Sequence, residues 1–137
     1  MTKILLDTNI LLDVLLFREP WVKQASIIWQ ANDEEKIKCY VTASTITDIF
    51  YVAHRAIGVD AAREAIGTCL KSFEICLVDR NALEHALQLP GNDFEDNLQI
   101  ACAVINGLDV IVTKDNPGFQ AATIPVLSPD EFLNTLT

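Results

Sequence analysis

The sequence predicts an α/β fold: a three-layer sandwich in which a central, mostly parallel sheet of four or five strands is flanked by helices. Three observations predict it. Short apolar runs that stop at polar residues alternate with longer segments whose apolar residues recur every three to four positions, the pattern of strand-helix-strand units. Half of the 137 residues are hydrophobic and 21% are charged, enough to bury a core without disulfides or a structural metal. No linker, repeat or low-complexity stretch interrupts the series, so residues 1–137 read as a single domain.

The elements follow in order. Residues 3–6 form a short apolar run closed by Asp7, a strand by composition. Ile10, Leu11, Val14 and Leu15 then have helical spacing that ends near Arg18 and Glu19. Pro20 suits the first turn of a second helix running to about Asn32, with Trp21, Ala25, Ile28 and Trp29 on one side. That spacing assigns the two tryptophans to core or to a dimer surface rather than to base stacking. Residues 36–41 alternate and read as the second strand. Thr42 and Ser44 offer caps for a helix carrying Ile46, Ile49, Phe50, Ala53 and Ile57, which Gly58 ends. Asp60 is placed to cap the next helix, with Ala61, Ala65, Ile66, Cys69 and Leu70. A third strand is expected over 74–78, then a helix capped by Asp79 and stopped by Pro90 and Gly91. Asn92 or Asp93 starts another helix that runs to Asn106 and ends at Gly107. Strands over 110–113 and 124–127 and a terminal helix opened by Ser128 and Pro129 complete the series.

Lys and Arg total 10 against 19 Asp and Glu, a formal charge of -9. Such a surface repels phosphate backbones and anionic lipid on average, so any nucleic-acid contact must be local or mediated by cations. The apolar run at the start is too short for a signal-peptide core, and Asn106 and Asp109 break the longest candidate membrane span. A soluble, cytoplasmic protein with no membrane partner is expected. Cys39, Cys69, Cys76 and Cys102 form no CxxC or Cys/His cluster and read as small, reduced hydrophobes.

In parallel sheets, ligands collect at the carboxyl ends of the strands, near the point where strand order reverses. Asp7 directly follows the first strand and Asp115 lies just beyond the fourth. Asp96 shares a helical face with Ile100 and Ala103 in a helix that from Leu98 to Ile105 is apolar on nearly every side apart from Gln99, and Asp93 lies one turn earlier. Asp48 stands alone in its helix beside Thr45 and Val52. A carboxylate on a buried face is costly unless it is hydrogen-bonded or bound to a cation, and converging carboxylates call for a divalent metal such as Mg²⁺ or Mn²⁺. The same residues also have ordinary structural readings. Asp93 serves as a helix cap, Asp96 favours the positive end of the helix dipole, Asp7 bonds turn amides, and Asp115 with Asn116, Pro117 and Gly118 makes a turn. Spacing alone leaves both readings open.

Four motifs taken together resemble the PIN domain, the small ribonuclease fold of VapC-type toxins. They are ILLDTNILLD with Asp7 and Asn9, TASTITDIFYV with Asp48, DFEDNLQIACA with Asp96, and IVTKDNPGF with Thr113 and Asp115 followed by Phe119. The resemblance covers nearly the whole chain and implies a Mg²⁺- or Mn²⁺-dependent endoribonuclease, commonly a homodimer, acting on RNA as the toxin of a toxin-antitoxin pair. It implies Asp7, Asp96 and Asp115 as metal ligands and Asp48 as a ligand through water or an orienter of the nucleophile. Asn9 and Thr113 would fix carboxylates or substrate phosphate, with Asp93 supporting Asp96. Two departures stand out. The family's second acid is usually Glu, one methylene longer than Asp48, and some members carry their last acid where this chain has Gly118.

Among the basic residues, Lys114 is the one expected to meet substrate; Lys36, Arg55 and Arg63 read as solvated edges. His54 and His85 suggest no catalytic pair. An Asp-x-Asp-x-Thr phosphatase would need an acid where Asn9 stands, and a phospho-receiver an acid pair after the first strand and a supporting motif after Asp79, which is lacking; phosphate discharge from acetyl phosphate separates these classes. A non-catalytic PIN-like module that binds RNA or protein is the alternative, favoured only by Asp48. Substituting Asp7 or Asp96 by Asn is expected to abolish cleavage without lowering the melting temperature.

Overall fold

The computed structural model describes residues 1–137. Its centre is a sheet of five strands, β1 (Lys3–Leu6), β2 (Lys38–Thr42), β3 (Glu74–Cys76), β4 (Val110–Val112) and β5 (Val126–Leu127), in the order β3-β2-β1-β4-β5. All neighbours are parallel; Leu5 stands opposite Tyr40 on one side and Ile111 on the other. Seven helices connect them: α1 (Thr8–Leu15), α2 (Val22–Asp33), α3 (Ala43–Ile57), α4 (Val59–Ser72), α5 (Arg80–Gln88), α6 (Phe94–Ile105) and α7 (Pro129–Asn134).

Parallel strands are buried on both faces, and the pleat sends successive side chains to opposite sides. Ile4 and Leu6, with Val41, Val110 and Val112, join a core completed by Leu11, Ile28, Ile49 and Phe132 from α1, α2, α3 and α7. Leu5 and Ile111 join a second core with Ala82 and Ala86 of α5 and Leu98, Ile100 and Ala103 of α6. Each Leu or Ile so buried contributes about 1.5–3 kcal/mol, which makes β1 and β4 the rigid middle of the molecule. The chain steps outward from β1 to β2 and β3, then returns to β4 on the other side of β1. The reversal of strand order therefore falls between β1 and β4, and the residues that follow them are Asp7 and Thr113.

The three-layer architecture is as expected, and the differences are local. Strand β3 ends at Cys76 rather than at 78 because its partner Thr42 is the last residue of β2, leaving Leu77 exposed. Strand β2 starts at Lys38 because the Lys36 amide closes the turn after α2 on the Ala31 carbonyl. Gly58, with φ +87°, caps α4 in place of Asp60; only glycine adopts that backbone without strain. The turn signal at Asp115–Gly118 becomes a 3-10 turn over Asn116–Phe119, which buries Phe119 in the second core beside α6. Trp21 and Trp29 do not share a face: Trp21 precedes α2 and is 48% exposed, whereas Trp29 packs edge-on against Phe73 with centroids 4.6 Å apart. All four cysteines are free and buried, and burial pushes the Cys39 thiol up to about 12. No helix is long and apolar enough to cross a membrane.

Candidate active site

The Asp7 carboxylate is the hub at the carboxyl end of β1. Its backbone amide continues the sheet by donating to the Val112 carbonyl at 3.1 Å, which pins the residue to β4. Its side chain caps α1: Oδ1 accepts from the Thr8 amide at 2.7 Å and from Gln99 Nε2 of α6 at 3.0 Å. Oδ2 accepts from the Thr113 hydroxyl at 2.7 Å. Three donors compensate a carboxylate left only 8% exposed. The Thr113 oxygen in turn accepts from the Asp115 amide at 2.9 Å, so one hydroxyl ties β1 to the turn after β4.

Helix α6 brings the other acids. Asp93 is its N-cap, accepting from the Asp96 amide at 3.1 Å, as the capping reading expects. Burial, reinforced by the charges of Asp93, Asp7 and Asp115, pushes the Asp96 carboxyl up to about 6. These influences place Asp7, Asp96 and Asp115 within one electrostatic neighbourhood. The turn Asn116–Phe119 closes it. A Cβ at Gly118 would collide with Asp96 Oδ2 and come within 2.8 Å of Asp115 Oδ2, so the two oxygens lie within about 5 Å of one another. Glycine there is what allows the turn to pass so close.

Asp48 approaches from α3. The start of that helix is tied to α1 by Thr45, whose hydroxyl lies 3.0 Å from that of Thr8, and Asp48 follows one turn later. Its nearest acidic partner is Glu95, which the sequence reading missed. Hydrogen bonding with the Asp48 carboxyl, then burial, then the charges of Asp48, Asp93 and Asp96 push Glu95 up to about 7. The signal for it was its position beside Asp96 in DFED; on an isolated helix the two point about 100° apart, so only the arrival of α3 reveals the role. Gln99, visible in the sequence as the one polar interruption of residues 98–105, proves to be a donor to Asp7, with its own Oε1 buried and unpartnered.

The remaining expected residues lie at the edge. Asn9 is exposed and accepts from Arg18 Nη1 at 3.2 Å. Lys114 is not free for substrate: its ammonium is 2.7 Å from Asp13 Oδ2 and 4.0 Å above the centroid of the Trp21 ring. Lys36 and Lys38 pair with Glu34 and Glu74, and His54 stacks on Phe50. No ion pair engages Asp7, Asp48, Asp93, Glu95, Asp96 or Asp115. These acids are gathered without being closed up: nowhere do three His, Cys, Asp or Glu side chains stand in metal-holding geometry. A groove of about 450 Å³, lined by Gly91, Asp93, Pro117 and Gly118 among others, adjoins them.

The fold agrees with comparisons to known proteins. No curated protein is significantly similar to the chain in sequence. Its fold is shared with the DNA-bound VapBC of Salmonella typhimurium, at 19% identity over 94% of this chain and 99% of that one, with a TM-score of 0.73. A toxin-antitoxin complex from Klebsiella pneumoniae matches at 22% identity over 91% and 96% of the two chains, TM-score 0.67. VapC20 of Mycobacterium tuberculosis, a toxin that cleaves the sarcin-ricin loop, matches at 14% identity over 79% and 86%, TM-score 0.64. The PIN domain family model matches residues 3–117, and the chain belongs to the PIN-domain family.

Proposed function

We propose that the chain is a divalent-metal-dependent endoribonuclease that hydrolyses RNA phosphodiester bonds, acting as the toxin of a toxin-antitoxin pair. One observation carries the reading: Asp7, Asp93, Asp96 and Asp115 share one electrostatic neighbourhood where strand order reverses, with Glu95 and Asp48 beside it, and no basic side chain pairs with any of them. Repulsion among such groups is costly unless protons or a cation relieve it, and an all-oxygen set suits Mg²⁺ or Mn²⁺. The residues fit that ion. Asp7, Asp96 and Asp115 would hold it, and the missing side chain at Gly118 leaves room between the last two.

Bound there, the cation supplies Lewis-acid stabilisation of the phosphoryl oxygens and lowers the pKa of an attacking water. The protein's own residues orient the groups involved. Thr113 and Gln99 fix the rotamer of Asp7, and Asp93 fixes the first turn of α6, which presents Asp96. Asp48 and Glu95 form the outer acidic pair, which would accept a proton during attack.

Related assemblies named as toxin-antitoxin complexes support an antitoxin as partner. Free buried thiols support residence in the reducing cytoplasm. Exposed Leu77, Leu83, Leu87 and Phe94 offer a surface for a homodimer, which sedimentation would read. The deciding experiment is cleavage of labelled single-stranded RNA with Mn²⁺. Activity should disappear on chelation and fall on the order of 10³-fold in Asp96→Asn. Equal cleavage in chelator and in the variant overturns the nuclease reading; RNA binding without cleavage or Mn²⁺ uptake supports the non-catalytic module.

A further inference from the structure

Asp13 lies on α1, less than two turns past Asp7, and is the most deeply buried charged residue in the chain, at 0% exposed. Neither of its oxygens has a well-directed hydrogen bond. Its compensation is charge. Lys114 Nζ lies 2.7 Å from Oδ2, close but off the hydrogen-bonding direction, and Arg18 Nη1 lies 3.8 Å from Oδ1. Both cations lead back to the acidic site. Lys114 stands between Thr113, which donates to Asp7, and Asp115, whose amide donates to Thr113. Arg18 reaches Asn9 Oδ1 at 3.2 Å. Trp21 covers the other side of the Lys114 ammonium at 4.0 Å from its ring centroid.

We propose that Asp13 is a positioning residue that braces the site from within α1, holding the turn of Thr113 and Asp115 through Lys114 and the Asn9 segment through Arg18. A buried carboxylate needs its counter-ions, so the backbone carrying Lys114 cannot leave without stranding a charge. Lys114 is thereby an internal counter-ion rather than a cation offered to RNA. The functional sense of the brace rests on the metal-site reading above; its existence does not.

Two measurements separate these claims: hydrogen exchange of the metal-free protein and Mn²⁺ affinity by calorimetry. In Asp13→Asn, amides over 113–119 should exchange about tenfold faster while those of α3 and α4 keep their rates, and Mn²⁺ affinity should fall about 10- to 100-fold, as for lost supports of metal ligands. Lys114→Met should do the same, and Lys114→Arg, which keeps the charge, should recover most of both. If Asp13→Asn does not fold, Asp13→Asn/Lys114→Met removes both charges without stranding either and must show the same local acceleration. Uniform acceleration along the chain, or unchanged exchange over 113–119, overturns the brace. Should the unaltered protein take up no Mn²⁺, the metal-site reading fails while the exchange pattern still decides the brace.

Discussion

Asp7 and Asp96 lie close enough for one to feel the charge of the other, yet the fold holds them in opposite ways. Asp7 is wired into the structure: it caps α1, accepts from Thr8, Gln99 and Thr113, and sits at the buried end of the central strand. Asp96 has no side-chain donor. It is half-buried among Asp93, Asp7 and Asp115, and its carboxyl is pushed up to about 6. One acid is part of what makes the fold; the other is a site at which the fold tolerates unfavourable charge. An acid of the second kind marks function more clearly than one of the first, because packing alone does not explain it.

Thermal unfolding breaks or sharpens the contrast most directly. Asp7→Asn keeps a capping oxygen but turns an amide toward the Thr113 hydroxyl, disrupting one arm of the hub. A loss of about 1–3 kcal/mol is expected, which is roughly 3–12 °C in melting temperature for a chain of this size. Asp96→Asn removes a repelling charge and should leave the metal-free melting temperature unchanged or raise it. The contacts of Asp7 thus revise the expectation that both substitutions spare stability: a loss is now predicted for Asp7→Asn and none for Asp96→Asn. Equal destabilisation by the two variants would erase the distinction.

A smaller effect is expected at Gly118. In Gly118→Ala the new methyl meets the carboxylates of Asp96 and Asp115, which must swing away. Mn²⁺ affinity measured by calorimetry should fall about tenfold while Asp7 and its donors, on the far side of Thr113, keep the fold intact. Undiminished affinity would show that the ion does not need the present positions of Asp96 and Asp115.

The smallest effect is the pH dependence of the metal-free protein. Asp96 and Glu95 are raised in the folded state to about 6 and about 7, above their ordinary values. Raised acids bind protons more tightly folded than unfolded, so their contribution is fully present below the ordinary carboxylate range and is lost as pH rises through 6 and 7. The melting temperature should drop by a few degrees between pH 5 and pH 8. The drop should flatten in Glu95→Gln/Asp96→Asn and when Mn²⁺ is present. A slope retained in that double variant would assign it to other groups.

Legibility differed between the two kinds of residue. Asp7, Asp48, Asp96 and Asp115 were legible because each is an acid just after a strand or within an apolar helix, where burial makes a carboxylate conspicuous. The helix caps Asp79, Asp93 and Ser128 were legible because capping is a local interaction. Glu95 was not, since its partner Asp48 lies on a helix far away in sequence. Nothing local singles out Asp13 in ILLDVLL, and Lys114 reads as a cation for substrate, because the pair that joins them spans about a hundred residues.

The sequence by itself determined the alternation of strands and helices, the layers, the places of Asp7, Asp48, Asp96 and Asp115 in the motifs, and the net negative charge. Periodicity, capping and composition act over a few residues and need no knowledge of the rest of the chain. Only the tertiary structure decided which acids are satisfied and which repel, that Gly118 makes way for Asp96 and Asp115, and that Lys114 turns inward to Asp13. Those outcomes depend on distances between β1, α3, α6 and the turn after β4, and electrostatic energy follows distance and burial rather than position along the chain.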